Sequence, residues 1–307
     1  MKSLIKYYFN FDIANIRLIN NDYYFLYNGI EYVFLCVDIE KYDMNNIFRF
    51  NMQLLNYNSL FHQIILNKDN MITTIVGNNH YVLLKINING NKQIGINDIL
   101  NFMIPISMEN KLLSNANQFD WINLWRSKID YFEYYTNSID TKNIFLNELI
   151  NYYIGLGENA ISYIEDTLVN FKVSNLVVSH RRIDCNYTLL DLYNPLNVTI
   201  DHVTRDISEY FKSLFINKKY DLNDLDRYFS MFIFAEGEYR LLFGRMLFPS
   251  FFFDNYELYV KNKLEEKKML DIVNRVGEYE KFLKKMYLLI SEKYSIPEVR
   301  WLKKVDI

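Results

Sequence analysis

The strand-like runs of this 307-residue chain fall before Ile88, with two exceptions, and the remainder reads mainly as helix. That split limits the fold to a small sheet followed by a larger helical part. YYFLYNGIEYVFLCV, from Tyr23, has two β-rich runs around Asn28-Gly29, a pair that tolerates positive φ and so marks a hairpin. Asn45 to Leu66 is apolar-periodic without Pro or Gly and predicts one long helix. MITTIV and YVLLKINI, joined by GNNH, predict a second hairpin. Hairpin, helix, hairpin makes a small antiparallel sheet with one helix packed across it. NGNKQIG, from Asn89, is glycine-bearing and poor in apolar residues, so the expected division is a β-rich lobe over 1–88 and a helical lobe over 89–307.

In the second part, DWINLWRSKIDYFEYY and NIFLNELINYYIGLGENAISYIEDTL are long amphipathic runs, and four or five further helices fill the last hundred residues. Gly155 and Gly157 sit inside such a pattern and are expected to serve helix packing or a local kink. Asp206, with Glu209 three residues later, has the spacing of a capping box. The two exceptional strands are LVVSHRR and NVTID. Each ends in charged residues: His180, Arg181 and Arg182 on the first, Asp201 and His202 on the second. Two short strands among helices, with charges at their ends, make a candidate site; a solvated β-ribbon is the alternative.

Half the residues are hydrophobic and 17% are aromatic, which supplies a substantial core and argues against disorder. A net charge of −3 shows no basic excess, against general nucleic-acid binding. Cys36 and Cys185 are too few and too far apart for a disulfide framework or a zinc site. No window approaches the roughly 18 continuous apolar residues of a membrane span, and LLFGRMLFPSFFF is broken by Arg245 and Pro249. Asp12 and Arg17 interrupt the start too early for a signal peptide, so the expected location is cytoplasmic. There is no GxxxxGK[ST] loop, no GxGxxG after a strand, no GxSxG elbow and no HExxH pair.

YYIGLGENAISYIEDT, VSHRRI, IDHVTRDISEY and YRLLFGRMLFPSFFFDNYELY, in that order, resemble the YutH/CotS group of spore-coat-associated proteins. This group is related to aminoglycoside and choline kinases. The resemblance implies an α+β, two-lobed, protein-kinase-like fold of the aminoglycoside phosphotransferase type, with a small antiparallel N-lobe carrying one helix and a mainly helical C-lobe. Active members of that superfamily carry His-x-Asp-x-x-x-x-Asn after the first strand, the Asp taking the acceptor's proton and the Asn helping to hold Mg²⁺. Here His180 matches, but Arg182 stands at the Asp position and Tyr187 at the Asn position. Asp201 matches the metal-binding Asp of the second strand.

The nucleotide side departs as well. The strand EYVFLCVD has no Lys to hold phosphates, the helix from Asn45 has no Glu to pair with one, and the turn near Asn20 reads INND with no glycine-rich loop. Lys85 follows that helix and is expected to be an exposed strand lysine. Arg182 stays protonated and cannot act as a general base. Arg182 or Arg181 is expected to pair with Asp201 and fill the former metal site.

The leading expectation is therefore a pseudokinase with a structural or interaction role in the spore coat, with other proteins as partners and no cofactor. Two alternatives stay open. One is a divergent phosphotransferase using ATP, Mg²⁺ at Asp201 and Asp184 as a displaced base. The other is an anion-binding module in which His180, Arg181 and Arg182 form a clamp in the cleft between lobes.

Overall fold

A computed structural model describes residues 1–88, 90, 92–106, 121–138, 144–171, 175–261 and 263–306. Its elements run α1 (Lys2–Phe9), β1 (Ile16–Ile19), β2 (Asp22–Tyr27), β3 (Ile30–Val37), α2 (Met44–Tyr57), β4 (Gln63–Ile65), β5 (Thr73–Val76) and β6 (Asn79–Lys85). They continue with α3 (Ile96–Phe102), α4 (Trp121–Ser138), α5 (Ile144–Asn170), β7 (Leu176–His180), α6 (Leu189–Leu192), β8 (Val198–His202) and α7 (Thr204–Ile216). The last five are α8 (Leu222–Ser230), α9 (Glu236–Leu247), α10 (Ser250–Val260), α11 (Glu266–Val273) and α12 (Val276–Ser291).

The chain divides into two compact units, Met1–Ile94 with Asn186–Val198, and Gly95–Cys185 with Thr199–Ile307. The first unit thus extends past residue 88 and takes a later segment that the expected division at 88/89 had placed in the helical part. The reason is backbone and side-chain anchoring. The Ile94 N–H donates to the Tyr187 carbonyl, the His62 N–H to the Tyr193 carbonyl, and Leu196 is buried with Val33, Ile47 and Val82. Of the expected hinge stretch, Asn89 and Asn91 lie outside the described residues.

In the first unit every strand pairing is antiparallel, in the order β1-β2-β3-β6-β4 with β5 also on β6. Asn28 and Gly29 turn at φ 51° and 77°, as the sequence predicts, and Asn20 and Asn21 make a second tight turn at 50° and 71°. Side chains alternate across the sheet with period two. Tyr32, Phe34, Tyr81 and Leu83 join Ile5 of α1 in one cluster, while Val33, Val82 and Leu84 join Ile47 of α2 and Leu196 in the other.

The helix predicted over Asn45–Leu66 ends at Tyr57, and the short strand β4 lies in its last part. Buried Asn51 explains the break. Its amide donates to the His62 carbonyl at 2.8 Å and accepts from the Ile64 N–H at 3.0 Å, stapling the returning chain to the helix. Helix α1 and strand β1 extend the expected layout of two hairpins and one helix. Lys85 is half-buried at the end of β6 rather than exposed.

Among its described residues, the named elements of the second unit are helices apart from the β7–β8 pair. Close helix crossings need two of its glycines. A Cβ on Gly157 of α5 would lie 2.6 Å from the Ile129 side chain of α4, and one on Gly244 of α9 would run into Ile164 of α5. Gly155 has no such neighbour, so the packing role expected of both α5 glycines belongs to Gly157 alone.

Candidate functional site

The β7–β8 pair carries the charged residues that the sequence singled out, and α7 follows β8 within two residues. Helix α7 begins at Thr204, which places Asp206 in its first turn rather than at the cap. The capping-box expectation fails because the carboxylate serves the neighbouring strand. Asp206 accepts from the His180 N–H at 2.9 Å and from His180 Nδ1 at 2.7 Å, with both side chains fully buried. The His180 ring also lies 4.3 Å from that of Phe102.

Arg205, one residue earlier, spans the strand end. Its Nε donates to the His180 carbonyl at 2.7 Å, one terminal nitrogen to the Arg181 carbonyl at 3.0 Å, and the other to Asp201 Oδ2 at 2.6 Å. The second carboxylate oxygen of Asp201 accepts from Arg245 of α9 and from the His202 N–H. The Arg245 guanidinium lies 4.2 Å from the Trp121 ring centre. Burial by itself would raise the Asp201 carboxyl, but the Arg245 and Arg205 guanidinium groups outweigh it and hold the group below the usual carboxylate range. Burial and the same Arg245 charge push His202 down to about 4. Asp201 is thus a buried carboxylate between two cations.

Arg182 does not supply either cation. Its guanidinium, 59% exposed, reaches Asp254 at 3.2 Å and Glu209 at 3.8 Å, so Arg182 does not make the pairing with Asp201 expected of it; Arg205 and Arg245 hold that carboxylate. Glu209 also binds buried Lys212 at 2.6 Å, and Asp254 binds Lys128. Burial opposes ionisation of Glu209, but Lys212, Arg205 and Arg182 bring it down to about 2. The result is an alternating ladder of Lys128, Asp254, Arg182 and Glu209 that meets Lys212 along α7.

The loop after β7 runs the length of that helix. His180 is fixed at its first turn, the Cys185 N–H donates to Ser213 Oγ at 2.8 Å, and Asp184 accepts from Asn217 at the helix end, at 3.5 Å. Asn217 follows Arg205 by twelve positions, about 18 Å along a helix. Asp184 is therefore far from Asp201, which removes the displaced-base arrangement. His180 is committed to Asp206 and Arg182 to carboxylates, so these two do not converge as an anion clamp.

Magnesium, which the phosphotransferase resemblance implies, does not fit these residues. Both Asp201 oxygens already accept charged or backbone donors, and Tyr187 offers no carboxamide. Among the described residues, no group of three or more His, Cys, Asp or Glu is placed to hold a metal ion. Sequence reasoning missed Arg205 and Arg245. A lone Arg inside the apolar run LLFGRMLF was the available signal, since a buried cation requires a buried partner.

Solved structures share this arrangement of a β-rich first unit and a helical second one. An aminoglycoside phosphotransferase from Alicyclobacillus acidocaldarius subsp. acidocaldarius DSM 446 matches with a TM-score of 0.59 at 11% identity, covering 91% of this chain and 93% of that one. The AMP-bound spectinomycin phosphotransferase APH(9)-Ia matches with a TM-score of 0.57 at 11% identity, covering 97% and 98%. At such identities the likeness is one of fold: the chain has a kinase-like fold of the aminoglycoside phosphotransferase type. The chain belongs to the family described as "Spore coat putative kinase YutH", whose model matches residues 2–286. The endospore coat-associated protein YutH of Bacillus subtilis (strain 168) is 30% identical over 210 residues, which cover 60% of this chain and 61% of that protein. The match thus spans less than two thirds of the length of that curated relative.

Proposed function

We propose that this chain is a catalytically degenerate kinase-like protein that acts through contacts with other proteins in the spore coat. The observation that carries the reading is the double capture of Asp201 by Arg205 and Arg245. A guanidinium stays charged at every working pH, so both cations persist where a phosphotransferase of this type places its metal. Arg182 supports the same reading, because the position of the general base holds a cation paired with Glu209 and Asp254. No helix among the described residues is long and apolar enough to cross a membrane. The coat association of the curated relative supports placement at the forming spore.

A second reading, a ligand-binding module without phosphotransfer, is favoured by a cavity of about 710 Å³ in the first unit, lined by Arg17, Tyr24, Glu31, Gly90 and Leu190. Thermal melts separate the readings. A ligand at 100 times its dissociation constant adds about 2.7 kcal/mol to the native state. No shift with ATP and Mg²⁺ is the outcome expected of the degenerate protein. Stabilisation by ATP without metal supports the binding module. Metal-dependent stabilisation with ATP consumption overturns both.

A further inference from the structure

Gly155 of α5 and Gly277 in the first turn of α12 are both helical, yet a Cβ at either would meet nothing within 4 Å. Glycine inside a helix costs about 0.5–1 kcal/mol relative to alanine. At Gly157 and Gly244 close helix contact accounts for that cost; at Gly155 and Gly277 no neighbour among the described residues does. Both open glycines line one groove of about 710 Å³, between α5, α12 and the last described turns of the chain. That volume lies within the ordinary range of small-molecule sites.

We propose that this groove binds a short neutral saccharide. Trp301 lines it with an indole, suited to the C–H face of a pyranose. The Tyr152 hydroxyl donates to Glu280 Oε1 at 2.6 Å, which orients the carboxylate and leaves its second oxygen to accept from sugar hydroxyls. Asn151 at the rim adds an amide that can donate and accept. The charges around the groove balance, Glu280 and Asp306 against Lys281 and Lys304, so it favours neither anion nor cation. An apolar ligand would leave the second Glu280 oxygen without water or a donor from the ligand. None of the Asp201 network lines this groove, and the inference stands whether or not the chain is a pseudokinase.

The test is calorimetric titration of the full chain with maltotriose, cellotriose and chitotriose. The expected result is saturable one-to-one binding of at least one of them, with a dissociation constant of about 1 mM or tighter. Gly155→Met places a strong helix former in open space and fills the groove. It is expected to melt no lower than the native chain and to weaken binding at least tenfold. Gly277→Gln obstructs the opposite wall independently, and Trp301→Ala removes the stacking surface. No binding of any of the three sugars to the folded chain at about 5 mM overturns the proposal. So does binding that survives both glycine substitutions unchanged.

Discussion

Asp206 of α7 holds His180 of β7 by two hydrogen bonds, at 2.9 Å to the backbone N–H and 2.7 Å to Nδ1, with no solvent on either side chain. A strand end and a helix start are thereby locked across 26 residues of sequence. Asp206→Ala leaves two buried polar groups of His180 without this acceptor and is expected to cost about 3 kcal/mol. Chemical denaturation gives the value, and loss of near-UV aromatic signal reports on the Phe102 contact.

Asp201 and its two arginines are expected to behave asymmetrically. Asp201→Asn leaves buried Arg245 and part-buried Arg205 without their shared counter-charge and should cost about 3–5 kcal/mol. Arg245→Met fills similar space and leaves Arg205 to neutralise the carboxylate, so its cost should be the smaller. A double-mutant cycle between the two positions reads their coupling directly.

Acid should weaken each unit through one histidine. His62 is pushed down to about 4 by burial, and His202 to about 4 by burial and the Arg245 charge. The neutral form of His62 is fixed by its bonds, accepting from the Asn87 N–H at Nδ1 and donating from Nε2 to the Leu190 carbonyl. Below pH 6.5 the unfolded chain binds protons that the folded chain refuses, so stability falls between pH 6.5 and 4. The loss is about 2 kcal/mol per histidine by pH 5. Denaturation midpoints at pH 7 and pH 5 measure it, and His62→Gln should flatten the slope.

The glycines divide sharply by environment. Gly244→Ala forces a methyl into Ile164 and is expected to cost about 1–3 kcal/mol. Gly155→Ala meets open space and should raise stability by about 0.5–1 kcal/mol. Opposite shifts in melting temperature check the pair.

Arg182→Asp places at that position the carboxylate that the phosphotransferase resemblance implies. Arg182 is exposed and its ion pairs with half-buried Glu209 and Asp254 are worth about 1 kcal/mol, so the variant should fold, with some loss of stability from the new carboxylate beside those two. It should still show no ATP turnover in a phosphate-release assay, because Arg205 and Arg245 continue to hold Asp201.

The sequence by itself determined what depends on near neighbours. Asn28-Gly29 dictates its hairpin because only a few residue types accept φ of 51° and 77°. The alternation Tyr32, Val33, Phe34 dictates a sheet covered on both faces. Arg182 cannot itself act as a general base wherever it points, since its charge is intrinsic to the guanidinium. What the fold alone decided involves partners distant in sequence. LFHQIIL continues the helical pattern of α2 without a break, and Asn51 bonding to His62 and Ile64, together with pairing to β6, turns it into a strand. Asp206 has the spacing of a cap, yet a histidine 26 residues earlier claims its carboxylate. Asp201 needed a cation and had several within reach of a sequence argument. Packing chose one from the next helical turn and one from 44 residues downstream, because a buried charge is satisfied by whichever partner the fold brings to it.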